Sequence, residues 1–294
     1  MIHVINNVNR HLYGDLLDKM FKLRHDIFVG QRGWNLISRD DGRDIDQFDT
    51  KDTTYFLKVT EESEIMAGMR LYPTTVPTQL NTIFRDTCVL TAPPEEPDHY
   101  EWSRYFVVDS NYRGKSRRPA NHELYTGIFD YALAMGIKSL SGFIETSVFT
   151  RAGRLPWNMR QLGIPVEYGG TAGEPVGYGL PTQLMVDADM VYKTKLVLRL
   201  LRPVLSLSLG ERNLTTEKGF DAKVVLAIQN FIQLHPEYTS TLVLFTDMLN
   251  SADPYQIEHV NEALNILTKD ECLKEFTTIT MKAKTVGWES AIQH

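Results

Sequence analysis

Glu101 and Arg104 stand three residues apart at the head of an apolar run, EWSRYFVV, and the same stretch continues through a turn into Gly114-Lys115-Ser116. A carboxylate held beside an amine can take its proton as a general base. A guanidinium group can grip a carboxylate through two parallel hydrogen bonds. More residues of these kinds precede the pair. Arg24 and Phe28 lie one helical turn apart, Trp34 follows two closely spaced glycines, Asp44, Asp46 and Asp49 punctuate the loop DIDQFD, and Arg70 interrupts the apolar run GMRLY. An arginine between Met69 and Leu71 of a strand needs a partner, because an unpaired buried charge is very costly. Each residue also has an ordinary structural use. Aromatic rings such as Phe28 and Trp34 fill cores, and Arg70, Glu101 and Arg104 could tie an ion-pair network.

The Gly-Lys-Ser tripeptide is not part of a nucleoside-triphosphate loop. That loop, G-x-x-x-x-G-K-[ST], needs a glycine five residues before the second one, and Asp109 occupies the position. A different anion site survives, because a turn leading into a helix N-terminus presents backbone N–H groups. The turn Arg113, Gly114, Lys115, Ser116, Arg117, Arg118 is similar to the R-G-x-G-x-[GA] loop with which N-acetyltransferases hold the phosphates of their acyl donor, without its later small residues.

The elements that must position these groups follow from periodicity. Leu12, Leu16, Met20, Leu23 and Ile27 predict a helix over 10–29, broken by GQRGW. TTYFLKVT (53–60) and EIMAGMRLYP (64–73), joined by an acidic turn, predict an antiparallel hairpin, and 101–108 a third strand. A helix is expected over 120–136, strands at 138–145 and 183–190, and a helix at 154–162. Together these describe an α/β (α+β) layer fold, a mixed sheet flanked by helices. Beyond residue 205 the chain changes character: helices are expected at 216–234, 237–250, 254–268 and 270–283, an all-helical extension of 206–294.

Bulk properties bound the setting. The 294 residues are 43% hydrophobic and carry a net charge of −6. Cys88 and Cys272 form neither a disulfide framework nor a zinc spacing, and no metal site is expected. The N-terminus lacks the apolar core of an export signal, and the greasiest segment, 196–210, is too short and too charged to span a bilayer. A cytoplasmic protein is the expectation, with no membrane association. The charge is uneven. Residues 206–294 hold 12 acids against 7 bases, whereas 104–160 holds nine bases (Arg104, Arg113, Lys115, Arg117, Arg118, Lys138, Arg151, Arg154, Arg160) against four acids. Such a patch attracts an acidic partner or is simply a solvated face. No helix-turn-helix or zinc pattern accompanies it, so nucleic acid is not expected.

In order and spacing, Arg24 and Phe28, Trp34, Asp44-x-Asp46-x-x-Asp49, Arg70, Phe84, and Glu101-x-x-Arg104 resemble the acyl-homoserine-lactone synthases, the autoinducer synthases of quorum sensing. The family commonly has Glu where this chain has Asp44. The resemblance covers residues 1–205; 206–294 has no counterpart in it. It implies an N-acetyltransferase-like fold and a reaction joining S-adenosylmethionine to an acyl group carried by acyl carrier protein, or by coenzyme A in a minority of members. The products are the acyl-homoserine lactone, methylthioadenosine and free carrier, with no cofactor.

The resemblance also implies roles. Glu101 is the expected general base, acting with Arg104, Asp46, Asp49 and Arg70. Arg24, Arg104, Phe28, Trp34 and Phe84 are expected to hold S-adenosylmethionine. Arg113, Gly114, Lys115, Ser116, Arg117 and Arg118 are expected to hold the donor phosphate or dock the acidic carrier protein. Tyr105, Phe106, Met135 and Phe149, with Leu140, Phe143 and Leu184, are candidates for the acyl pocket and equally for plain core. A homodimer through the C-terminal helices is a further expectation. The rival readings are an N-acetyltransferase using acetyl-CoA on an amine, which would not need the arginine, aromatic and acidic-loop set, and a non-enzymatic binding protein on the same scaffold. One geometric demand is specific. Residues 101 and 104 of a regular strand face opposite sides, so serving one pocket requires a bulge or a frayed strand start that re-aims one of them.

Overall fold

The computed structural model describes residues 1–7, 9–34, 39–109, 111–112, 118–169, 176–201, 204–208 and 213–215. The chain divides into two compact units, Met1–Val204 and Leu205–His294. In the first, eight strands form one mixed sheet: β1 (Ile2–Ile5), β2 (Thr54–Val59), β3 (Ile65–Pro73), β4 (His99–Val107), β5 (Ser139–Glu145), β6 (Asn158–Gln161), β7 (Val166–Tyr168) and β8 (Gly177–Met185). Their order is β1-β2-β3-β4-β5-β8-β6, with β7 also paired to β8. All neighbours run antiparallel except β4 and β5. That parallel ladder carries three pairs, from His99↔Ser139 to Glu101↔Ser141.

The expected hairpin is β2–β3, and every residue of β2 is buried, as alternate residues serve opposite layers. Tyr55, Leu57 and Val59 join Leu17, Met20, Ile27 and Phe28 in the core beneath helix α1 (Gly14–His25). Phe56 points the other way, its ring edge-on to Tyr131 of α2 (Ala120–Ala134) at 5.0 Å. Also on the α2 side, Lys58 of β2 and Glu123 of α2 form a buried ion pair.

Several boundaries differ from the sequence reading. Helix α1 passes into a π-helical stretch, Asp26–Gln31, whose wider turn ends at the GQRGW break. Strand β8 begins six residues before the expected 183, and the following residues form helix α4 (Ala188–Leu198), capped by the Asp187 carboxylate on the Met190 N–H. The helix expected at 154–162 is instead α3 (Thr146–Ala152) followed by β6. Pro156 interrupts helix there, and pairing of 158–161 with β8 decides the matter. Strand β1 was not anticipated. In the second unit, β9 (Leu205–Ser208) pairs antiparallel with β10 (Asn213–Thr215), so its opening residues are extended and not helical. The Leu-Ser-Leu-Ser alternation has the two-residue period of a strand. The expected helices from 216 onward, and the dimer through them, fall outside the described residues. No helix among the described residues is long and apolar enough to cross a membrane.

One half-buried group makes stability depend on pH. Burial, then the N-terminal amine and Lys58, push the His3 imidazole down from 6.5 to about 4. The unfolded chain therefore takes up a proton near 6.5 that the folded chain refuses until about 4. The stability His3 provides is present above pH 6.5 and is lost as pH falls toward 4. Urea-unfolding midpoints should decline across that window, and His3→Gln should flatten the decline. An unchanged slope in the variant would refute the assignment.

Candidate active site

On the α1 side of the sheet, three arginines meet three aspartates. Arg24 enters from α1. Its Nε donates to Asp44 at 2.9 Å, and its Nη1 and Nη2 grip Asp49 at 2.9 and 3.0 Å. Arg70 rises from β3; its Nη1 and Nη2 bind Asp46 at 2.7 and 2.9 Å, and Nη1 also lies 2.8 Å from Asp49. Arg104 comes from β4; its Nε and Nη2 bind Asp44 at 2.7 and 3.1 Å, and Nη2 reaches Asp46 at 2.8 Å. Tyr55 completes the cluster by donating to Asp49 at 3.0 Å. Burial alone would raise the Asp49 and Asp44 carboxyl groups. The guanidinium groups of Arg70 and Arg24 at Asp49, and of Arg24 and Arg104 at Asp44, outweigh it and hold both below the ordinary carboxylate range. Their share of stability is therefore present above that range and lost as acid protonates them.

Arg104 shares this side with Glu101 because the sheet is bulged. The β3–β4 register passes from Gly68↔Phe106 to Arg70↔Ser103, so Arg104 and Tyr105 together oppose Met69. Arg104 takes up the extra residue in the left-handed region, with φ +53°, an uncommon conformation for a residue with a side chain. Beyond the bulge Phe106 packs against Gly68, where a Cβ would stand 2.5 Å from its ring.

Glu101 lies lower in the same face. Its Oε1 accepts from Tyr72 Oη at 2.8 Å and the Gln79 N–H at 2.9 Å, and its Oε2 from the Leu80 N–H at 3.0 Å. Its side chain is fully buried. Burial pushes its proton affinity up against these donors, which leaves it a stronger base than an exposed carboxylate.

An aromatic wall runs from this charged floor. Arg104 sits over the Phe28 ring at 5.4 Å, and Phe28 stacks on Trp34 at 5.1 Å. Trp34 meets Tyr168 edge-on, Tyr168 meets Phe143, and Phe143 stacks on Phe84 at 4.2 Å. The π-helical stretch places the first two, since the Trp34 N–H bonds the Phe28 carbonyl at 2.9 Å. Arg32 bridges the rings to β5, lying over Phe28 and Trp34 and donating to Glu145 at 2.7 Å.

The structure thus brings together Arg24, Phe28, Trp34, Asp46, Asp49, Arg70, Phe84, Glu101 and Arg104. Arg24, expected to hold S-adenosylmethionine, is here engaged by aspartates. Its side chain is 1% exposed and all three of its nitrogens are engaged by Asp44 and Asp49. The acyl-pocket set does not come together. Phe106 joins the core with Phe28, while Tyr105 faces the opposite layer and stacks on Tyr125 of α2. Met135 caps the far end of α2, ten residues and about 15 Å along the helix from Tyr125. Phe149 lies on α3, half-buried. Of the docking turn, Arg113, Gly114, Lys115, Ser116 and Arg117 fall outside the described residues, and Arg118 lies in the bend before α2.

Residues 9–173 match the autoinducer synthase family, more than half of the chain. The chain belongs to that family. It is 39% identical over 165 residues to isovaleryl-homoserine lactone synthase of Bradyrhizobium diazoefficiens, a match spanning 56% of this chain and 73% of that one. It is 31% identical over 160 residues to an acyl-homoserine-lactone synthase of Ralstonia nicotianae, spanning 52% and 75%. Among solved structures it is similar to BjaI, a CoA-dependent acyl-homoserine lactone synthase with SAM and isopentyl-CoA, at TM-score 0.63 and 31% identity over 72% of this chain and 94% of that one. A second CoA-dependent member, MesI, aligns at TM-score 0.60 and 29% identity over 70% and 98%. This is an acyltransferase family, and the mixed sheet with flanking helices is its fold.

In this autoinducer synthase several site residues carry little sequence signal. Tyr55 and Tyr72 read as ordinary strand aromatics, and Ser103 as an unremarked position between Glu101 and Arg104. Tyr168 and Glu145 join the site only because β7 and β5 both pair with β8.

Proposed function

We propose that this autoinducer synthase makes an N-acyl-homoserine lactone from S-adenosylmethionine and an acyl-CoA, as a quorum-sensing signal. The observation that carries the reading is the joint geometry of Glu101, Arg104 and the aromatic wall on one face of the sheet. The amine of S-adenosylmethionine loses a proton toward Glu101 and attacks the thioester carbonyl, forming the amide and releasing the thiol. Arg104, whose Nη1 takes no part in the Asp44 and Asp46 bonds, meets the substrate carboxylate. The rings of Trp34 and its neighbours receive the sulfonium and adenine. With the amide made, the carboxylate attacks the carbon bearing sulfur, closing the lactone and expelling methylthioadenosine; positioning drives this step. Arg24, Arg70 and the three aspartates hold the floor rigid beneath these groups.

Acyl-CoA is preferred to acyl carrier protein as donor because two solved relatives, at 31% and 29% identity, are described as CoA-dependent. The test is incubation of the full chain with S-adenosylmethionine and matched panels of acyl-CoA and acyl carrier protein thioesters, read by mass spectrometry. Lactone plus methylthioadenosine from the CoA panel is the expected result. Lactone from the carrier-protein panel alone would overturn the donor assignment. Neither product from either panel would sink the reading, and acylation of another amine without methylthioadenosine would favour a plain N-acyltransferase.

A further inference from the structure

Glu101 poses a difficulty for its own role: its side chain is fully buried, and its oxygens are bonded to Tyr72, Gln79 and Leu80. A substrate amine cannot touch it in this arrangement. We propose that Tyr72 and Ser103 relay protons between the substrate amine and Glu101, with half-buried Ser103 nearest the amine and Tyr72 as the positioning residue between them. The proposal rests on the lactone-synthase reading above and deepens it.

The direction of every bond in the path follows from donor accounting. Arg70 Nε lies 2.8 Å from Ser103 Oγ and can only donate, so the serine oxygen accepts there. The single phenolic proton of Tyr72 goes to the Glu101 carboxylate at 2.8 Å, which as an anion cannot donate in return. At the 3.3 Å contact between Tyr72 Oη and Ser103 Oγ, the serine is therefore the donor. Ser103 keeps one lone pair for a substrate donor. Its residue is only half-buried, whereas Tyr72 is 1% exposed. The path is thus oriented from Ser103 to the carboxylate without any group turning.

Transfer balances simply. An N–H bond of the substrate ammonium breaks and its electron pair stays on nitrogen. Ser103 Oγ receives that proton as its own passes to Tyr72 Oη, and the tyrosine proton passes to Glu101 Oε1. Serine and tyrosine end unchanged in charge, and Glu101 ends neutral. Burial, then the Glu101 charge, keep the Tyr72 phenol well above its ordinary range, so it remains a hydroxyl able to donate. Among the described residues, Tyr72 of β3 and Cys88 face Glu101, and Arg70 of β3 acts on the Tyr72 phenol.

The experiment measures kcat and KM for S-adenosylmethionine across pH in the full chain, for the wild type, Tyr72→Phe, Ser103→Ala, Ser103→Thr and the double variant Tyr72→Phe with Ser103→Ala. Tyr72→Phe is expected to lower kcat about 100-fold, within the range for a general-base path, with KM changed less than about threefold and the acidic limb of the pH profile displaced. Ser103→Ala should do the same, Ser103→Thr should restore most of the rate, and the double variant should be no slower than either single one. Tyr72→Phe turning over like the wild type, or losing rate with an unmoved pH profile, would overturn the relay. If Tyr72→Phe does not fold, the serine pair decides: equal rates for Ser103→Ala and Ser103→Thr would overturn it, and rescue by threonine alone would support it. A wild-type chain that forms no lactone would instead remove the functional reading, and the relay with it.

Discussion

Asp49→Ala is expected to lower the unfolding free energy by about 3–5 kcal/mol, the range for removing one partner of a buried ion pair. Asp49 is bonded to Arg24 through both carboxylate oxygens and to Arg70 at 2.8 Å, and its side chain is 1% exposed. It also accepts from Tyr55 and from the Asp46 N–H at 3.0 Å each, so it fixes the acidic loop as well as two cations. The variant leaves two buried guanidinium groups with too little negative charge between them. Against a typical total of about 5–15 kcal/mol, that is a large fraction. Urea titration at pH 7 is the measurement. Asp49→Asn, which keeps the shape and loses the charge, should fall between the variant and the wild type. A loss below about 1 kcal/mol for Asp49→Ala would show that the loop does not depend on this carboxylate.

Glu101→Gln should have the largest effect on turnover, a fall in kcat of about 10²–10⁴, the usual contribution of a positioned general base. Gln79 and Leu80 both present N–H donors to the Glu101 carboxylate. A glutamine can offer only one oxygen, so one of those donors meets an NH2 group and some stability is lost as well. Two measurements separate the effects. Unfolding at pH 7 reports the structural loss, and single-turnover kinetics with saturating S-adenosylmethionine report the chemical one. A folded Glu101→Gln chain with kcat within about tenfold of the wild type would exclude Glu101 as the base.

Much of the site was legible in the sequence because its demands are local and electrostatic. Arg70 in an apolar strand required an acid, and Asp46 and Asp49 supply it. The spacing of Glu101 and Arg104 required a bulge or a frayed strand start, and the ladder has the bulge. What escaped depends on partners distant in sequence. Arg24 reads as a carboxylate binder steadied by the acidic loop, and only the fold shows that Asp44 and Asp49 engage all three of its nitrogens. Residues 158–161 read as helix because their strand character comes from pairing with β8. Tyr105 and Phe106 were grouped by hydrophobicity, although neighbours in a strand face opposite layers. The Leu-Ser alternation at 205–208 is the local signal of β9.

The three arginines and three aspartates also decide how the site looks from a distance. Their formal charges cancel, and they lie within hydrogen-bonding reach of one another. Such a floor casts almost no field into bulk solvent. Dissolved ions, which screen exposed charges over about 8–10 Å, have little purchase on it. Capture of an anionic acyl donor must then be the work of other parts of the surface, and salt would act on encounter while leaving the geometry of the bound amine untouched.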